Sequence, residues 1–330
     1  MFIFCGCVFC IVLNELFVFR LIIDLFCIRI KEIFGVFKHL KSFIKVFTMK
    51  KSIYIIILLL WSTLCLAKEQ RIITLHSAIT ETVYALGLGS SMVATDVTSI
   101  SPKAAADLPR VSKNRSVSAE GLLAFQPTIV LAMEGDVSSA VAQHLRKSGI
   151  RFVTLRQEYS IKGTSKFIQD IADALDVAEM GKTVVQRTKI SLDRVLDVVK
   201  EETKGRQVPK VLFIYARGTG TMSVAGKGSS LDAIISLAGG KNAVQEFADF
   251  KPYTTEALVQ ANPDIILMFD FGASSLGGKD AILKLPGVRV TEAGRQERIL
   301  AMSGPLLINF STRLPEAIMQ LHRAFVEEMD

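Results

Sequence analysis

Short apolar runs alternate with amphipathic stretches through most of the chain. Apolar runs at residues 71–75, 92–95, 152–155, 211–215 and 265–269 have the length and composition of buried strands. Amphipathic stretches at residues 80–86, 137–148 and 230–238 predict helices, two of which end at glycines. Strands that alternate with helices predict an α/β fold built on mostly parallel sheets.

One segment of the chain is echoed much later. Glu120-Gly-Leu-Leu-Ala-Phe-Gln-Pro127 is matched by Glu256-Ala-Leu-Val-Gln-Ala-Asn-Pro263, and each proline leads into an apolar run. Proline cannot continue a helix, so each segment predicts a short helix followed by a buried strand. Two such segments predict two lobes built on a related plan.

A long helix is predicted between the two lobes. Apolar residues recur at helical spacing from Val184 to Val199, and Gly205 and Pro209 mark the end of the helix. We therefore expect an N-terminal α/β lobe at 68–179, a linking helix at 180–205 and a C-terminal α/β lobe at 206–330, with a ligand cleft between the lobes. A helix of this length would span roughly 37 Å.

The first 67 residues differ from the rest of the chain. Residues 1–48 hold 10 of the 20 phenylalanines, and charged residues interrupt their apolar runs too often for a membrane-spanning helix. Residues 49–67 have a basic start, a short apolar core and small residues before the polar Lys68, as in a secretory signal peptide. We expect translation from Met49, cleavage after Ala67 and a mis-translated segment at 1–48. A genuine N-terminal anchor is the alternative for 1–48, and a lipid anchor at Cys65 is the alternative for the signal segment.

Removing that leader changes the charge and the cysteine content. It takes away 8 of the 39 basic and 3 of the 32 acidic residues, which leaves 31 against 29. So small an excess gives no reason to expect a nucleic-acid partner. All five cysteines also lie in the leader, so residues 68–330 cannot form disulfides, thiolate nucleophiles or cysteine metal sites.

Several motifs resemble those of the helix-linked class of substrate-binding proteins of ABC importers, which bind vitamin B12, siderophores or haem. The sequences of these motifs are most similar to those of the periplasmic haem-binding branch. The matching stretches are Arg71-Ile-Ile-Thr-Leu, Thr80-Glu-Thr-Val-Tyr-Ala-Leu-Gly-Leu-Gly89, Leu108-Pro-Arg-Val, Arg115-Ser-Val-Ser-Ala-Glu-Gly-Leu, Val224-Ala-Gly-Lys-Gly, Leu237-Ala-Gly-Gly-Lys-Asn-Ala, Lys251-Pro and Glu256-Ala-Leu.

The resemblance implies a periplasmic monomer without enzymatic activity that carries haem as its ligand. Its partners would be an inner-membrane permease dimer with its ATPase, and an outer-membrane haem receptor system. In this class one glutamate of each lobe docks on basic residues of the permease, and Glu120 and Glu256 match those positions. The other reading of these glutamates is favourable placement in the first turn of a helix. Cobalamin or a ferric siderophore is the alternative ligand.

The ligand site departs from the pattern of the haem-binding branch. Relatives carry Gly-Tyr-x-Arg where this chain has Ser112-Lys113-Asn114-Arg115, so the arginine is kept and the iron-ligating tyrosine is replaced. A protonated lysine has no lone pair for iron. Arg217 stands where some relatives have histidine.

Two hypotheses follow for the ligand. In the first, another residue ligates the iron: His76, at the end of the first predicted strand, or Tyr253. In the second, the cations Lys113, Arg115 and Arg217 recognise anionic groups such as haem propionates. The alternatives are a His76 hydrogen-bonded to backbone, a Tyr253 packed in a loop, and scattered surface cations.

Enzyme motifs fail on inspection. The glycine-rich stretch 218–228 has Gly228 where a P-loop needs a hydroxyl residue after the lysine, and its glycine spacing is also wrong. The stretch does not fit G-x-G-x-x-G either, because Ser223 takes the place of the last glycine. An exported hydrolase is therefore the more distant alternative.

Overall fold

A computed structural model describes residues 70–112, 116–216 and 222–330. The predicted leader at 1–48 and 49–67 lies outside the described residues. None of the helices in the described ranges combines the length and hydropathy that a membrane crossing needs.

The N-terminal lobe is built around a four-stranded parallel sheet. Its strands are β1 (Ile72–Thr74), β2 (Met92–Thr95), β3 (Ile129–Met133) and β4 (Arg151–Leu155), in the order β2-β1-β3-β4. The helices are α1 (Ser77–Ala85), α2 (Lys103–Ala106), α3 (Ala119–Leu123), α4 (Ser139–Lys147) and α5 (Ile161–Ala174).

Both faces of this sheet are covered, which explains its continuous apolar strands. Ile129 and Leu131 of β3 point to one side, into a core formed with α1 and α5. Val130 and Ala132 point to the other side, where Leu122 of α3 and Leu145 of α4 lie. Alternate residues of β3 are therefore buried on opposite faces of the sheet.

The C-terminal lobe contains a mixed sheet. Strands β5 (Lys210–Tyr215), β7 (Lys241–Asn242), β9 (Ile265–Phe269) and β10 (Ile299–Met302) pair in parallel, whereas β6 (Ser223–Ala225) and β8 (Phe250–Pro252) add antiparallel pairs. The order is β10-β9-β5-β6-β8, with β7 also paired to β5. The helices are α7 (Ser230–Leu237), α8 (Thr255–Ala261), α9 (Asp270–Leu276), α10 (Lys279–Ile282), α11 (Glu292–Arg295), α12 (Gly304–Ile308) and α13 (Leu314–Met329).

One long helix, α6 (Ala178–Glu202), joins the two lobes. Val184, in its first half, is buried in the N-terminal core, and Leu192 and Val199, in its second half, are buried in the C-terminal core. Its 25 residues correspond to roughly 37 Å. The fold-class prediction of two α/β lobes and a linking helix is confirmed, and the domain boundaries 68–179, 180–205 and 206–330 stay predictions.

The two echoed segments have the same local structure. Ser118 caps α3 by accepting a hydrogen bond from the Gly121 amide at 3.0 Å, and Thr254 caps α8 by accepting one from the Ala257 amide at 3.2 Å. Leu122 and Leu258, the equivalent apolar residues, are both fully buried.

Each of these segments also has a left-handed residue directly before its proline. Gln126 and Asn262, the residues before the two prolines, have φ of 49° and 38°. Asn262 is the C-cap of α8, whereas Gln126 follows the end of α3 by three residues, and in both segments the left-handed residue turns the chain into the next strand. The two lobes thus share a helix, a turn and a strand in the same order.

Candidate ligand cleft between the lobes

The two sheets approach each other through the segment that follows α12. The Ser77 hydroxyl, just after β1, donates to Asn309 Oδ1 at 2.9 Å, and Gln157 Nε2, just after β4, donates to the Phe310 carbonyl at 3.1 Å. The ring of Tyr159 packs edge-on against Phe310, with the centroids 5.4 Å apart. The carboxyl ends of the N-terminal strands therefore face the C-terminal lobe, and ligands of open α/β sheets bind at such ends.

The C-terminal side of this cleft is aromatic. Tyr215 ends β5, and its ring lies 6.1 Å from that of Phe269, at the end of β9, and 6.2 Å from that of Phe271. Phe271 is 41% exposed. Phe250 is 44% exposed, and its ring lies 6.1 Å from that of Phe213. The half-buried ring of Tyr215 and the exposed ring of Phe271, with the buried Phe269 behind them, form a surface called here the aromatic wall, which suits a large, flat, apolar ligand.

Tyr159 places an aromatic side chain of the N-terminal lobe against Phe310, which follows the C-terminal sheet in the chain. Burial and the Asp249 carboxylate, just before β8, raise the pKa of Tyr159. Tyr159 belongs to the N-terminal lobe and Asp249 to the C-terminal lobe, so the charge of one lobe acts on a side chain of the other. Neighbouring Ile161 packs against the C-terminal core.

A smaller polar pocket lies at the carboxyl ends of the N-terminal strands. Asp96 accepts hydrogen bonds from the Thr98 amide at 2.9 Å and from the hydroxyls of Thr98 and Ser99 at 2.5 Å. Its carboxylate is therefore well satisfied inside the protein. The lining residues are Leu75, His76, Asp96, Thr98, Val117, Asp136 and Val137. The described residues include no group of three His, Cys, Asp or Glu side chains placed to hold a metal ion.

His76 lies in this pocket and caps α1. Its Nδ1 accepts a hydrogen bond from the Ala78 amide at 3.2 Å. An accepting Nδ1 carries no proton, so in the neutral ring the proton is on Nε2. Ligation of iron through Nε2 would move that proton and break the cap. Backbone bonding by His76 is thus present, and iron ligation stays a prediction.

Tyr253 follows β8 and is engaged with an acid. Its hydroxyl donates to Glu246 Oε1 at 3.2 Å, and its ring lies 6.4 Å from that of Phe247. Burial, followed by the charge of Glu246 and this hydrogen bond, raises the pKa of Tyr253 to about 12. The phenolate form that binds iron is therefore disfavoured, and ligation by Tyr253 also stays a prediction.

The three predicted cations, Lys113, Arg115 and Arg217, lie outside the described residues. Their neighbours are described: Ser112 and Ser116 flank the first two, and Ala216 precedes Arg217 directly after Tyr215. The contribution of these cations to the ligand site stays a prediction.

Sequence reasoning did not select the aromatic wall. Tyr215 stands beside Arg217, which was selected, and Phe269 and Phe271 flank the end of a predicted strand. Their position at strand ends was the available signal, but apolar residues there are equally typical of a core.

The predicted docking residues Glu120 and Glu256 are both exposed in the first turns of their helices. In the described part of the chain neither carboxylate has an ion-pair partner. A third glutamate, Glu81 of α1, is 4% exposed and sits between the lobes. Burial raises the pKa of Glu81, and hydrogen bonds from Ser311 and Arg313 act in the opposite direction.

Comparison with known proteins identifies the family. The family model described as periplasmic binding protein matches residues 72–305, and the chain belongs to that family. The resemblance found in the sequence is therefore confirmed.

Three relatives indicate the range of ligands in the family. The chain is similar to the periplasmic heme-binding protein RhuT from Roseiflexus sp. RS-1, with TM-score 0.75 and 32% identity over 80% of this chain and 100% of that one. It is similar to the periplasmic heme-binding protein BhuT in complex with two hemes, with TM-score 0.75 and 34% identity over 79% and 99% of the two chains. It is also 25% identical to a vitamin B12-binding protein of Vibrio parahaemolyticus, over 66% of this chain and 78% of that protein.

Proposed function

We propose that this protein captures haem in the cleft between its lobes and delivers it to an ABC importer of the inner membrane. The observation that carries the proposal is the aromatic wall of Tyr215, Phe269 and Phe271 at the cleft. A porphyrin is a flat ring of large apolar area, and aromatic side chains bind such rings by stacking and edge contacts. The two solved structures described above, to which this chain is similar, are haem-binding proteins.

Tyr215 is the residue we propose as an oxygen ligand of the iron. It ends β5, is partly exposed and stands beside the exposed Phe271. A phenolate is an established ligand of ferric haem. Tyr253 is a weaker candidate because its phenol is hydrogen-bonded to Glu246. His76 is also a weaker candidate because its Nδ1 caps α1. We assign Lys113, Arg115 and Arg217 to the propionates, since guanidinium and ammonium groups pair well with carboxylates.

Cobalamin is the second candidate ligand. Vitamin B12-binding proteins are among the relatives of this chain, and a corrin ring could use the same aromatic wall. Cobalamin has no propionate carboxylates, so the basic residues would then lack their proposed partners. The haem proposal uses both the rings and the cations, which favours it.

For delivery we propose that the exported protein acts as a periplasmic monomer, loaded downstream of an outer-membrane haem receptor system. Glu120 and Glu256 would then meet basic residues of the permease dimer. Exposed charges on both lobes can steer a partner and set its orientation. The long helix α6 limits the motion between the lobes, so the permease would meet a molecule whose lobes change their angle only within a limited range.

Titration of the purified protein tests the ligand. Haemin should give a saturable one-to-one change in the Soret region, and cyanocobalamin should give none. No change with haemin, together with binding of cyanocobalamin, would replace haem by cobalamin within the same class. Turnover of a substrate would contradict the class itself.

A matched pair of phenol variants tests the iron ligand. Tyr215→Phe keeps the ring and removes the hydroxyl, and it should shift the Soret band and weaken haemin binding. Tyr253→Phe is the control and should leave the spectrum unchanged. The reverse pattern would assign the ligand to Tyr253.

A further inference from the structure

Residues 309–313, called here the inter-lobe segment, connect α12 to α13 and contact both lobes. They follow the C-terminal sheet in the chain, yet their polar groups are bonded to the N-terminal lobe. Besides the bonds from Ser77 and Gln157, Ser311 and Arg313 contact Glu81 of α1. The lobes are therefore connected through this segment as well as through α6.

Glu81 is the centre of these contacts. The Ser311 hydroxyl donates to Glu81 Oε2 at 2.5 Å, and Arg313 Nη1 lies 3.4 Å from Glu81 Oε1. The same Arg313 nitrogen donates to the Ser101 hydroxyl at 2.9 Å, which adds a second N-terminal partner. Glu81 and Ser77 are four residues apart on α1, so one face of this helix receives most of the segment.

Arg313 is held in place from its own lobe. Its Nε and Nη2 donate to the two carboxylate oxygens of Glu316 at 2.8 and 2.7 Å. A bidentate pair fixes the plane of the guanidinium, so the remaining nitrogen points to Glu81 and Ser101. The C-terminal lobe thus presents a preorganised cation to a buried acid of the other lobe.

Two features show that the segment is held by these contacts and not by its own local preference. Phe310 has φ of 36°, in the left-handed region that bulky residues avoid. Its side chain is nevertheless held in the core, where it is 1% exposed. Asn309 Nδ2 is buried without a hydrogen-bond partner, which costs free energy. A buried carboxylate is also costly unless it is paired. Such costs persist only where the surrounding contacts outweigh them.

We propose that the inter-lobe segment sets the angle between the lobes through Glu81, and that breaking the contacts of Glu81 with Ser311 and Arg313 opens the cleft. The segment adjoins the cleft wall directly, because Phe310 packs against Tyr159. A change in its position would therefore be transmitted to the ligand. The proposal concerns the angle between the lobes and holds whichever cargo is bound.

The distance between the lobes provides the test, measured without cargo. Residues 68–330 contain no cysteine, so Gln143→Cys on α4 and Gln260→Cys on α8, both exposed, accept one spin label each. Pulsed electron paramagnetic resonance then gives the inter-lobe distance distribution. The parent protein should give one narrow distribution.

Ser311→Ala and Glu81→Gln should each add a population at a different distance. Loss of one charge-assisted hydrogen bond should change the ratio of the two arrangements by roughly tenfold. Glu179→Gln is the matched control, since it breaks an exposed ion pair of α6, at 2.7 Å from Lys182, and should leave the distribution unchanged.

Two results would overturn the proposal. One is an unchanged, narrow distribution in both variants at retained fold, judged by circular dichroism. The other is an equal broadening in Glu179→Gln, which would show that the effect is not specific to the inter-lobe segment. If Glu81→Gln does not fold, Ser311→Ala decides, because it removes one hydroxyl and leaves the buried acid in place.

Discussion

The imidazole of His76 has two uses that exclude each other. As a cap its Nδ1 must accept a hydrogen bond from the Ala78 amide, so Nε2 bears the proton of the neutral ring. To bind iron through Nε2, the ring would instead need a free lone pair on Nε2, and the proton would have to move to Nδ1. Only a substitution that preserves the cap and removes the imidazole can separate these roles.

His76→Asn and His76→Ala form such a pair. Asparagine is a good N-cap, so His76→Asn should keep the stability of the parent, whereas His76→Ala should lose about 1 kcal/mol in urea unfolding. If His76 acts as a cap alone, the Soret band of haemin-loaded His76→Asn should equal that of the parent. A shifted band in both variants would establish imidazole ligation.

At the scale of elements, the helices α3 and α8 show how similar sequences reach the same turn by different side chains. Both helices are followed by a left-handed residue directly before proline, Gln126 in one segment and Asn262 in the other. Asparagine tolerates this conformation better than glutamine. Asn262 Oδ1 also accepts a hydrogen bond from the Glu292 amide at 2.7 Å, at the start of α11.

Replacing these two residues by glycine should therefore have opposite effects. Gln126→Gly relieves the strained backbone and should stabilise the protein by about 0.5–1 kcal/mol. Asn262→Gly loses the bond to Glu292 and should destabilise it by about 1 kcal/mol. Urea unfolding measures both. Equal effects at the two sites would show that the turn, not the side chain, dominates.

The elements also show what the sequence can predict. Strands β2 and β9 were predicted at their observed bounds, since each is a short apolar run with a clear start. The linking helix starts at Ala178, two residues before the expected 180, and lacks a side-chain cap there that could have marked its start. Helices α5 and α13 were not predicted, although their apolar residues recur at helical spacing.

The cleft was harder to predict than the fold. Its wall depends on Tyr215 and Phe271 lying side by side at the ends of different elements, and its position opposite the N-terminal lobe depends on contacts 150 residues and more apart, such as Gln157 with Phe310. A single sequence gives no information on such pairs. Glu81 illustrates the same limit, because its place in the sequence of α1 does not reveal that Ser311 and Arg313 contact its carboxylate.

For the whole molecule, the two exposed glutamates should act on delivery and not on capture. Changing both Glu120 and Glu256 to lysine should abolish cargo uptake by vesicles that contain the permease and its ATPase, because both docking charges are reversed. Haemin affinity should stay unchanged, since neither residue belongs to the aromatic wall. Glu201→Lys with Glu327→Lys, two exposed residues of α6 and α13, is the charge-matched control.

A fall in haemin affinity of the Glu120→Lys, Glu256→Lys protein would instead assign these residues a structural role. The same conclusion would follow if uptake were retained. Equal loss of uptake in the control would show that net charge, and not position, determines docking.

The short strand β8 has a consequence for the self-association of the protein. It forms one border of the C-terminal sheet, is three residues long and exposes all three. A border strand can recruit strands from neighbouring molecules, but Pro252 lacks the amide proton that such pairing needs, and Lys251 adds a charge. This border of the sheet is thereby protected against self-association, so molecules can accumulate at high concentration without joining edge to edge.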